Sequence, residues 1–377
     1  MSISPASLAA VERVFERNFT EQRELGASVS VFWRGEEVLR LSRGHADREK
    51  SRQWNDQTLV PVYSATKAPA AATLLLALSR QGLDENTLVR EVWTSFPLAN
   101  ATIAQLLSHQ CGLAALDESC SVWEHESVVA SIEAQQPAWL PGQGLGYHPR
   151  TYGALLDECV RRLTGVSLGG YWHEEIAGPM NWECWIGLPE KHWHRVAELV
   201  PGRAEKGDVE QGFYKEFMTA GTMTRRAFLS PSGLHAVQEM NDPRAWAAGF
   251  PAMGGVSSAR ALAQFYQAAM GWIDSPLTPA IQQALQRRQI QGYDQVLLQT
   301  MAYTCGCQQD PFTVDGKKMR QLYGPELRAF GHPGAGGSHA FGDPASGLSF
   351  AYVMNQMALS VMPGIRSSAM VEALFHT

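Results

Sequence analysis

Lysine is scarce in this sequence, and the charge patterns that would indicate a polyanionic partner are absent. Seven lysines contribute to a total of 31 basic side chains against 37 acidic ones, and the formal net charge is −6. No block of like charges occurs. Because neutralising the phosphates of a nucleic acid requires a basic patch, we expect no nucleic-acid partner.

Long apolar runs and closely spaced cysteine pairs are missing as well. No continuous apolar run approaches the roughly 20 residues that span a bilayer. The opening stretch, MSISPASLAAVERVF, lacks the basic segment and apolar run of a secretory signal, so we expect no membrane contact and a cytoplasmic protein. The six cysteines form no C-x-x-C pair, and we expect neither a metal nor another cofactor.

The 377 residues, 45 % of them hydrophobic, suffice for one large two-lobed unit or for two domains. Near the N-terminus, ASVSVFWRGEEVLRLSRG predicts two strands joined at Arg34-Gly35, and Leu8, Val11 and Val14 fall at helical spacing before them. Near the C-terminus, LRAFGH, SHAFGD and GLSFAYVMN are typical of strands, and a last helix is expected over about residues 362–375.

The middle of the chain is mostly helical in pattern. ATKAPAAATLLLALSRQGL, TIAQLLSHQ and TYGALLDECVRRLTG predict helices, and SSARALAQFYQAAMG predicts another with Ser257 or Ser258 as its N-cap. Residues 189–235 have a weaker pattern, which we interpret as a long surface excursion. The order of elements predicts an α+β fold with an antiparallel sheet flanked by helices. Residues 1–62 and 245–377 would build the sheet lobe, residues 63–244 an inserted, mostly helical lobe, and the active site would lie in the cleft between them.

Ser64 and Lys67 stand three positions apart in VYSATK, at the predicted start of a helix. With 27 serines and seven lysines, random placement is expected to produce roughly 0.5 matches to S-x-x-K in a chain of this length. The spacing therefore does not identify a catalytic pair by itself. One helical turn would place both side chains on the same face. A serine hydroxyl is a weak nucleophile until a base takes its proton, and a buried lysine of lowered pKa could do so.

A rival nucleophile is Ser167, which lies in a G-x-S-x-G sequence at residues 165–169. That motif exposes its serine where a strand runs into a sharp turn and then a helix. Here the preceding residues, ALLDECVRRLT, are helical in pattern, and Gly165 is better explained as a helix C-cap. Ser167 is therefore disfavoured as the nucleophile.

Two glycine-rich stretches hold further candidates. PGQGLGYHPRTYG brings Tyr147 to a predicted helix start, where it could act as a general base beside a cation or could simply pack. FGHPGAGGSHAFGD places His332 at the end of a strand, either as an ordinary rim histidine or beside a ligand. The glycines that follow would leave backbone N–H groups free to face a cleft, as an oxyanion site requires.

Ser64-Ala65-Thr66-Lys67, Tyr147-His148-Pro149 and His332-Pro333-Gly334 together resemble, in order and spacing, the motifs of the serine β-lactamase-like family. The resemblance is to its branch of class C β-lactamases, D-Ala-D-Ala carboxypeptidases and family VIII carboxylesterases, and is closest to the last. That family shows S-x-x-K at a helix start, then a tyrosine motif, then a K-T-G or H-x-G triplet on an edge strand. TIAQLLSHQCGL and GGVSSARALAQFY also look like the family, and the resemblance runs from about residue 25 to the C-terminus.

The resemblance implies a penicillin-binding-protein fold and a role for each matching residue. Ser64 would be the acylated nucleophile, and Lys67 and Tyr147 would share the proton transfers. The backbone N–H groups of Ser64 and Ala335 would form the oxyanion hole. Four more residues would bind substrate or support the site: His332, Gly334, Gly336 and His148.

Two departures from the family's pattern concern the substrate. Pro149 stands where β-lactamases usually have the asparagine of Tyr-x-Asn, and its side chain forms no hydrogen bond. His332 stands in the lysine's place, which weakens the positive charge available to a substrate carboxylate at neutral pH. Arg150 is near in sequence and could substitute for that charge.

These departures favour neutral esters as substrates. We therefore predict a serine hydrolase that works through an acyl-enzyme, preferentially a carboxylesterase on short- to medium-chain acyl esters. The alternatives are β-lactamase or D-amino-acid peptidase activity on an amide, acyl transfer to an acceptor other than water, and a non-catalytic ligand sensor. The sequence does not indicate an oligomeric state.

Overall fold

An eight-stranded antiparallel sheet is the frame of the computed structural model, which describes residues 3–202 and 211–375. The strands are β1 (Gly26–Trp33), β2 (Glu36–Gly44), β3 (Val60–Pro61), β4 (Cys184–Trp185), β5 (Val256–Ser257), β6 (Ile290–Tyr293), β7 (Thr300–Tyr303), β8 (Gln308–Gln309), β9 (Phe330–Pro333), β10 (His339–Asp343) and β11 (Leu348–Met354). The large sheet has the order β2-β1-β11-β10-β9-β8-β7-β6, and a small sheet has the order β3-β5-β4.

Helices surround both sheets. They are α1 (Pro5–Glu21), α2 (Lys67–Arg80), α3 (Val89–Val92), α4 (Ile103–Leu107), α5 (His125–Ala134), α6 (Thr151–Thr164), α7 (Leu168–Trp172), α8 (Gln211–Met218), α9 (Met223–Leu229), α10 (Val237–Met240), α11 (Pro243–Ala248), α12 (Ala259–Ala269), α13 (Pro279–Gln286) and α14 (Ile365–Phe375). None of the helices in the described ranges combines the length and apolar character that a bilayer crossing needs.

The large sheet joins the two ends of the chain, as the sequence predicts. β1 pairs with β2 on one side and with β11 on the other, where Ala27 lies opposite Met354. Side chains alternate between faces along β11, so Phe350 packs with α1 and α14 while Ala351 packs with α12. Because helices cover both faces, all but the last residue of β1 is buried. The predicted α+β fold is confirmed.

Several local predictions are also confirmed. The N-terminal helix and the hairpin at Arg34-Gly35 form as predicted. Gly165 ends α6 in the left-handed conformation with φ of 80°, and its N–H donates to the Arg161 carbonyl. Ser258 caps α12, since its side chain accepts a hydrogen bond from Ala261 N. All six cysteines are free thiols.

Two predictions are wrong. The described part of residues 189–235 is not one long surface excursion, because it forms a 3₁₀ helix over Glu190–Arg195 and then α8 and α9. Phe213 of α8 and Ala227 of α9 are buried in a cluster with Tyr147, which explains the helices. Residues 203–210 lie outside the described residues.

The strand that carries the His332-Pro333-Gly334 triplet, β9, is not an edge strand, because β8, β7 and β6 continue the sheet beyond it. The division into two lobes at residues 62 and 244 stays a prediction.

Candidate active site

Ser64 opens a short 3₁₀ turn, Ser64–Thr66, that runs directly into α2. Tyr63, the residue before it, has φ of 47° and ψ of −129°, a conformation that costs a non-glycine residue about 1–3 kcal/mol. Thr66 holds the turn, because its Oγ1 donates to the Tyr63 carbonyl at 2.5 Å and accepts from Gly255 N at 2.9 Å. Strained residues of this kind cluster at functional sites, and this strain fixes where the Ser64 hydroxyl points.

Lys67 follows one turn later and is fully buried. Its Nζ lies 2.7 Å from the Ala252 carbonyl oxygen, 3.0 Å from the Pro149 carbonyl oxygen and 3.3 Å from Ser64 Oγ. A neutral amine has two N–H bonds and one lone pair. When the two N–H bonds donate to the Pro149 and Ala252 carbonyls, the lone pair of the neutral amine faces the Ser64 hydroxyl.

The electrostatics of Lys67 favour that neutral amine. Burial lowers the pKa of Lys67 well below its usual value, and the Arg150 guanidinium lowers it further. The Nζ atom also lies 4.8 Å from the centre of the Tyr147 ring. The arrangement therefore suits Lys67 to accept a proton from Ser64.

Tyr147 reaches the same place from the glycine-rich loop that precedes α6. Its backbone N–H donates to the Asp294 carboxylate, at 2.9 and 3.1 Å from the two oxygens. Burial raises the pKa of Tyr147, a hydrogen bond with the Ser64 side chain opposes the rise, and the Asp294 charge adds to it. The phenol consequently stays protonated in the resting site, where it can donate a proton.

Asp294 is a site residue that the sequence analysis missed. It is fully buried, and besides Tyr147 N its carboxylate accepts hydrogen bonds from Val296 N, Leu297 N and the Tyr303 hydroxyl at 2.7–2.8 Å. It is separated from Tyr147 by 147 positions and belongs to no motif, so no sequence signal pointed to it.

His109 was also missed as an individual residue, although it lies within the quoted segment TIAQLLSHQCGL. Its ring lies 4.9 Å from the Tyr147 ring and 4.7 Å from the Tyr303 ring, between centres. Its Nδ1 accepts a hydrogen bond from His148 N at 3.2 Å. Burial, the largest cause, lowers the pKa of His109 well below 6.5, so His109 packs against Tyr147 as a neutral ring.

His332 lies on β9 with its ring centre 6.0 Å from that of Tyr147. Its Nδ1 lies 2.9 Å from the Pro333 carbonyl oxygen, which can only accept, so Nδ1 carries the proton. Its Nε2 is buried and has no hydrogen-bond partner among the described residues. Burial lowers the pKa of His332 to about 3, which leaves a neutral ring with a free acceptor at Nε2.

The chain after His332 passes close to Ser64. A Cβ atom added to Gly334 would lie 2.1 Å from the Val62 carbonyl oxygen, so only glycine allows this approach. In the described part of the chain, neither Ser64 N–H nor Ala335 N–H donates to a protein acceptor. Gly336, with φ of 88°, turns the chain away, and its N–H donates to the Ser360 carbonyl. The predicted oxyanion amides are thus both unused.

Two other predicted residues have structural partners. His148 accepts a hydrogen bond from Leu113 N at Nε2 and donates from Nδ1 to the Gly146 carbonyl, so neither ring nitrogen is free for a substrate. The Arg150 guanidinium donates to backbone carbonyls within residues 231–234.

Ser167 is not brought to this site. Its Oγ accepts from Gly170 N at 3.2 Å as the N-cap of α7. α6 precedes it, as the sequence predicts, and the strand that a nucleophile elbow requires is absent there.

Comparisons with known proteins identify the family of this chain. The sequence model of the Beta-lactamase family matches residues 11–374. The esterase/β-lactamase LipL of Mycobacterium tuberculosis is 29 % identical over 369 residues, covering 93 % of this chain and 81 % of LipL. A solved family VIII carboxylesterase is similar with a TM-score of 0.85 and 30 % identity, covering 99 % of this chain and 98 % of its own.

A penicillin-binding protein homolog from Caulobacter crescentus has a TM-score of 0.84 and 33 % identity, with the same coverage of both chains. The match to the family model includes each residue described above, from Ser64 to Gly336. The chain therefore belongs to the β-lactamase family and is a serine hydrolase of the penicillin-binding-protein fold.

Proposed function

We propose that the protein is a carboxylesterase that hydrolyses neutral acyl esters through an acyl-enzyme on Ser64. The observation that carries the substrate class is the buried, neutral His332 at the position of the family's lysine. The names of LipL and of the family VIII carboxylesterase support an ester substrate.

The first half of the reaction begins at the hydrogen bond between Lys67 and Ser64. As Ser64 Oγ attacks the ester carbonyl carbon, its proton passes to Lys67 Nζ. The carbonyl oxygen becomes an oxyanion, which the N–H groups of Ser64 and Ala335 stabilise. Collapse of this intermediate breaks the bond to the leaving alkoxide, and Tyr147 donates its proton so that the alcohol leaves. Lys67 then passes the proton that it took from Ser64 to Tyr147.

The second half releases the acid. Water gives a proton to the Lys67 and Tyr147 pair and attacks the acyl carbonyl carbon, while the same two N–H groups stabilise the oxyanion. Breaking the bond to Ser64 Oγ frees the carboxylic acid, and Ser64 regains its proton. The serine, lysine and tyrosine are then as they began.

The substrate preference follows from charge. A β-lactam or peptide with a carboxylate gains from a cation at the triplet position, and His332 cannot supply one at neutral pH because its pKa is about 3. Pro149 offers no side-chain group to a substrate amide. A neutral ester needs neither contact.

The test is a panel of p-nitrophenyl butyrate, a chromogenic cephalosporin and a D-amino-acid amide. We expect kcat/KM for the ester to exceed that for the other two substrates, and to vanish in Ser64→Ala. Ser167→Ala is the matched control and should keep wild-type activity. Preferential turnover of the cephalosporin or the amide would contradict the ester assignment, and loss of activity in Ser167→Ala alone would contradict the nucleophile. Product that forms only with an added alcohol would identify an acyltransferase.

A further inference from the structure

A cavity of about 470 Å³ lies beside the candidate active site, and its walls do not include Ser64, Lys67 or Tyr147. The volume falls within the roughly 300–1,000 Å³ of small-molecule sites in proteins. Ala252 belongs to the cavity wall, and its carbonyl oxygen accepts the hydrogen bond from Lys67 Nζ. The cavity thus shares a wall residue, Ala252, with the candidate catalytic site.

Two aromatic pairs give the cavity its apolar character. Trp123 and Phe250 meet edge to face with ring centres 5.1 Å apart, and the Trp123 side chain remains partly exposed. His173 and Trp185 stack with centres 4.6 Å apart. Aliphatic side chains fill much of the remaining wall: Val122, Val128, Ile186 and Met253. Such a wall suits an aromatic or aliphatic body.

The charged side chains of the wall do not balance. Asp157 accepts a hydrogen bond from Arg161 Nε at 2.8 Å and lies 3.5 Å from His125 Nδ1, so these three compensate one another. Arg150 is only 8 % exposed, and no carboxylate of the described residues lies within ion-pairing distance of its guanidinium. Burial lowers the pKa of Arg150, and the more distant Glu239 charge opposes that shift. This cation on the wall therefore has no carboxylate in direct contact.

The contacts of Arg150 leave room for an anion. Nε and Nη2 donate to the carbonyls of Pro231 and Gly233. Nη1 makes a long contact of 3.4 Å with the Leu234 carbonyl, and its other contact, at 3.5 Å, is with the weak acceptor Met253 Sδ. Burial lowers the pKa of Arg150 to about 10, which still leaves it charged at neutral pH. Arg150 also occupies the N-cap position of the 14-residue α6, where its side chain forms no capping hydrogen bond, and that helix end attracts negative charge.

We infer that this cavity binds an organic monocarboxylate, with its carboxylate at Arg150 and its apolar body between the two aromatic pairs. A carboxylate would give Arg150 a direct ion-pair partner through charge-assisted hydrogen bonds. The inference does not depend on Ser64 as the nucleophile, since no catalytic side chain takes part.

The test measures binding by calorimetry on the full chain carrying Ser64→Ala, which excludes turnover. The probes are 4-phenylbutyrate and its neutral analogue 4-phenylbutyramide, which differ only at the carboxyl end. We expect the carboxylate to bind at least about tenfold more tightly than the amide, because only the carboxylate ion-pairs with Arg150. Equal affinity of the two probes, or no binding of either, would overturn the inference.

Two variants locate the site. Arg150→Met should remove the preference for the carboxylate, whereas Arg226→Met, which removes an arginine paired with Asp117 outside this cavity, should keep it. Since Arg150 also holds neighbouring carbonyls, a second variant leaves it in place: Ala154→Leu fills the cavity from α6 and should weaken both probes about tenfold or more. Unchanged binding in Ala154→Leu would place the ligand elsewhere and refute the cavity.

Discussion

Replacing Gly334 with alanine tests the oxyanion hole without altering any side chain of the candidate site. The new Cβ would lie 2.1 Å from the Val62 carbonyl oxygen, where real contacts essentially never fall below 3.0 Å. The backbone must therefore move by about 0.9 Å or more, the difference between these two distances, and Ala335 moves with it. A displacement of about 1 Å, or the loss of one oxyanion donor, lowers kcat by about 10²-fold or more.

The assay is kcat for p-nitrophenyl butyrate, measured together with the thermal unfolding midpoint. Gly364→Ala is the matched control, because nothing lies within 4 Å of its added Cβ, and it should keep wild-type kcat. A folded Gly334→Ala protein whose kcat stays within about threefold of wild type would show that Ala335 N–H does not stabilise the transition state.

Three further predictions concern charge and titration. Asp294→Asn removes the oxygen that accepts from Tyr147 N and the Tyr303 hydroxyl, so the free energy of unfolding in urea should fall by about 2–3 kcal/mol and kcat should fall with it. An unchanged kcat would mean that Asp294 does not position Tyr147. If Lys67 is the base, kcat/KM rises with pH and levels off well below 10.5, because burial lowers its pKa; a rise that continues beyond pH 10 would instead identify Tyr147, whose pKa is raised. Burial lowers the pKa values of His332 and His339 from 6.5 to about 3. Between these pH values the unfolded chain binds a proton that the folded chain does not, so the free energy of unfolding is highest above pH 6.5 and is about 2 kcal/mol lower per histidine at pH 5. His339→Phe should therefore lose less stability than wild type between pH 7 and pH 5 in urea titrations, and an equal loss would contradict this origin.

The sequence predicts the elements whose signal is local. The hairpin around Arg34-Gly35 and the helix ended by Gly165 carry a turn dipeptide and a C-cap glycine, and both form as predicted. Ser64 and Lys67 lie within one helical turn of each other, so their contact needs only the local helix. These features depend on residues a few positions apart.

What the sequence analysis missed depends on distant contacts. Asp294 is a single aspartate whose importance arises only when the fold brings it to the Tyr147 backbone. β6, β7 and β8 are two to four residues long, too short for an alternating pattern, and they form because they extend the sheet beyond β9. The helices around Phe213, α8 and α9, were missed because they are only eight and seven residues long and are stabilised by packing against distant residues such as Tyr147.

The direction of the Ser64 hydroxyl illustrates the same limit. It depends on the strained Tyr63 backbone, which the sequence does not signal because a tyrosine rarely has positive φ. The contact of Thr66 with Gly255, 189 positions away, holds that backbone in place. Motif spacing therefore indicated which residues meet, whereas their orientation required the assembled fold.

The central claim is that Ser64 becomes acylated, and mass spectrometry tests it directly. Wild-type protein is mixed with p-nitrophenyl butyrate, quenched in acid during turnover, and analysed intact and after digestion. The account predicts one added butyryl group, located on the peptide that contains Ser64, present in Ser167→Ala and absent in Ser64→Ala. Acylation of a different residue, or ester turnover that persists in Ser64→Ala, would contradict it.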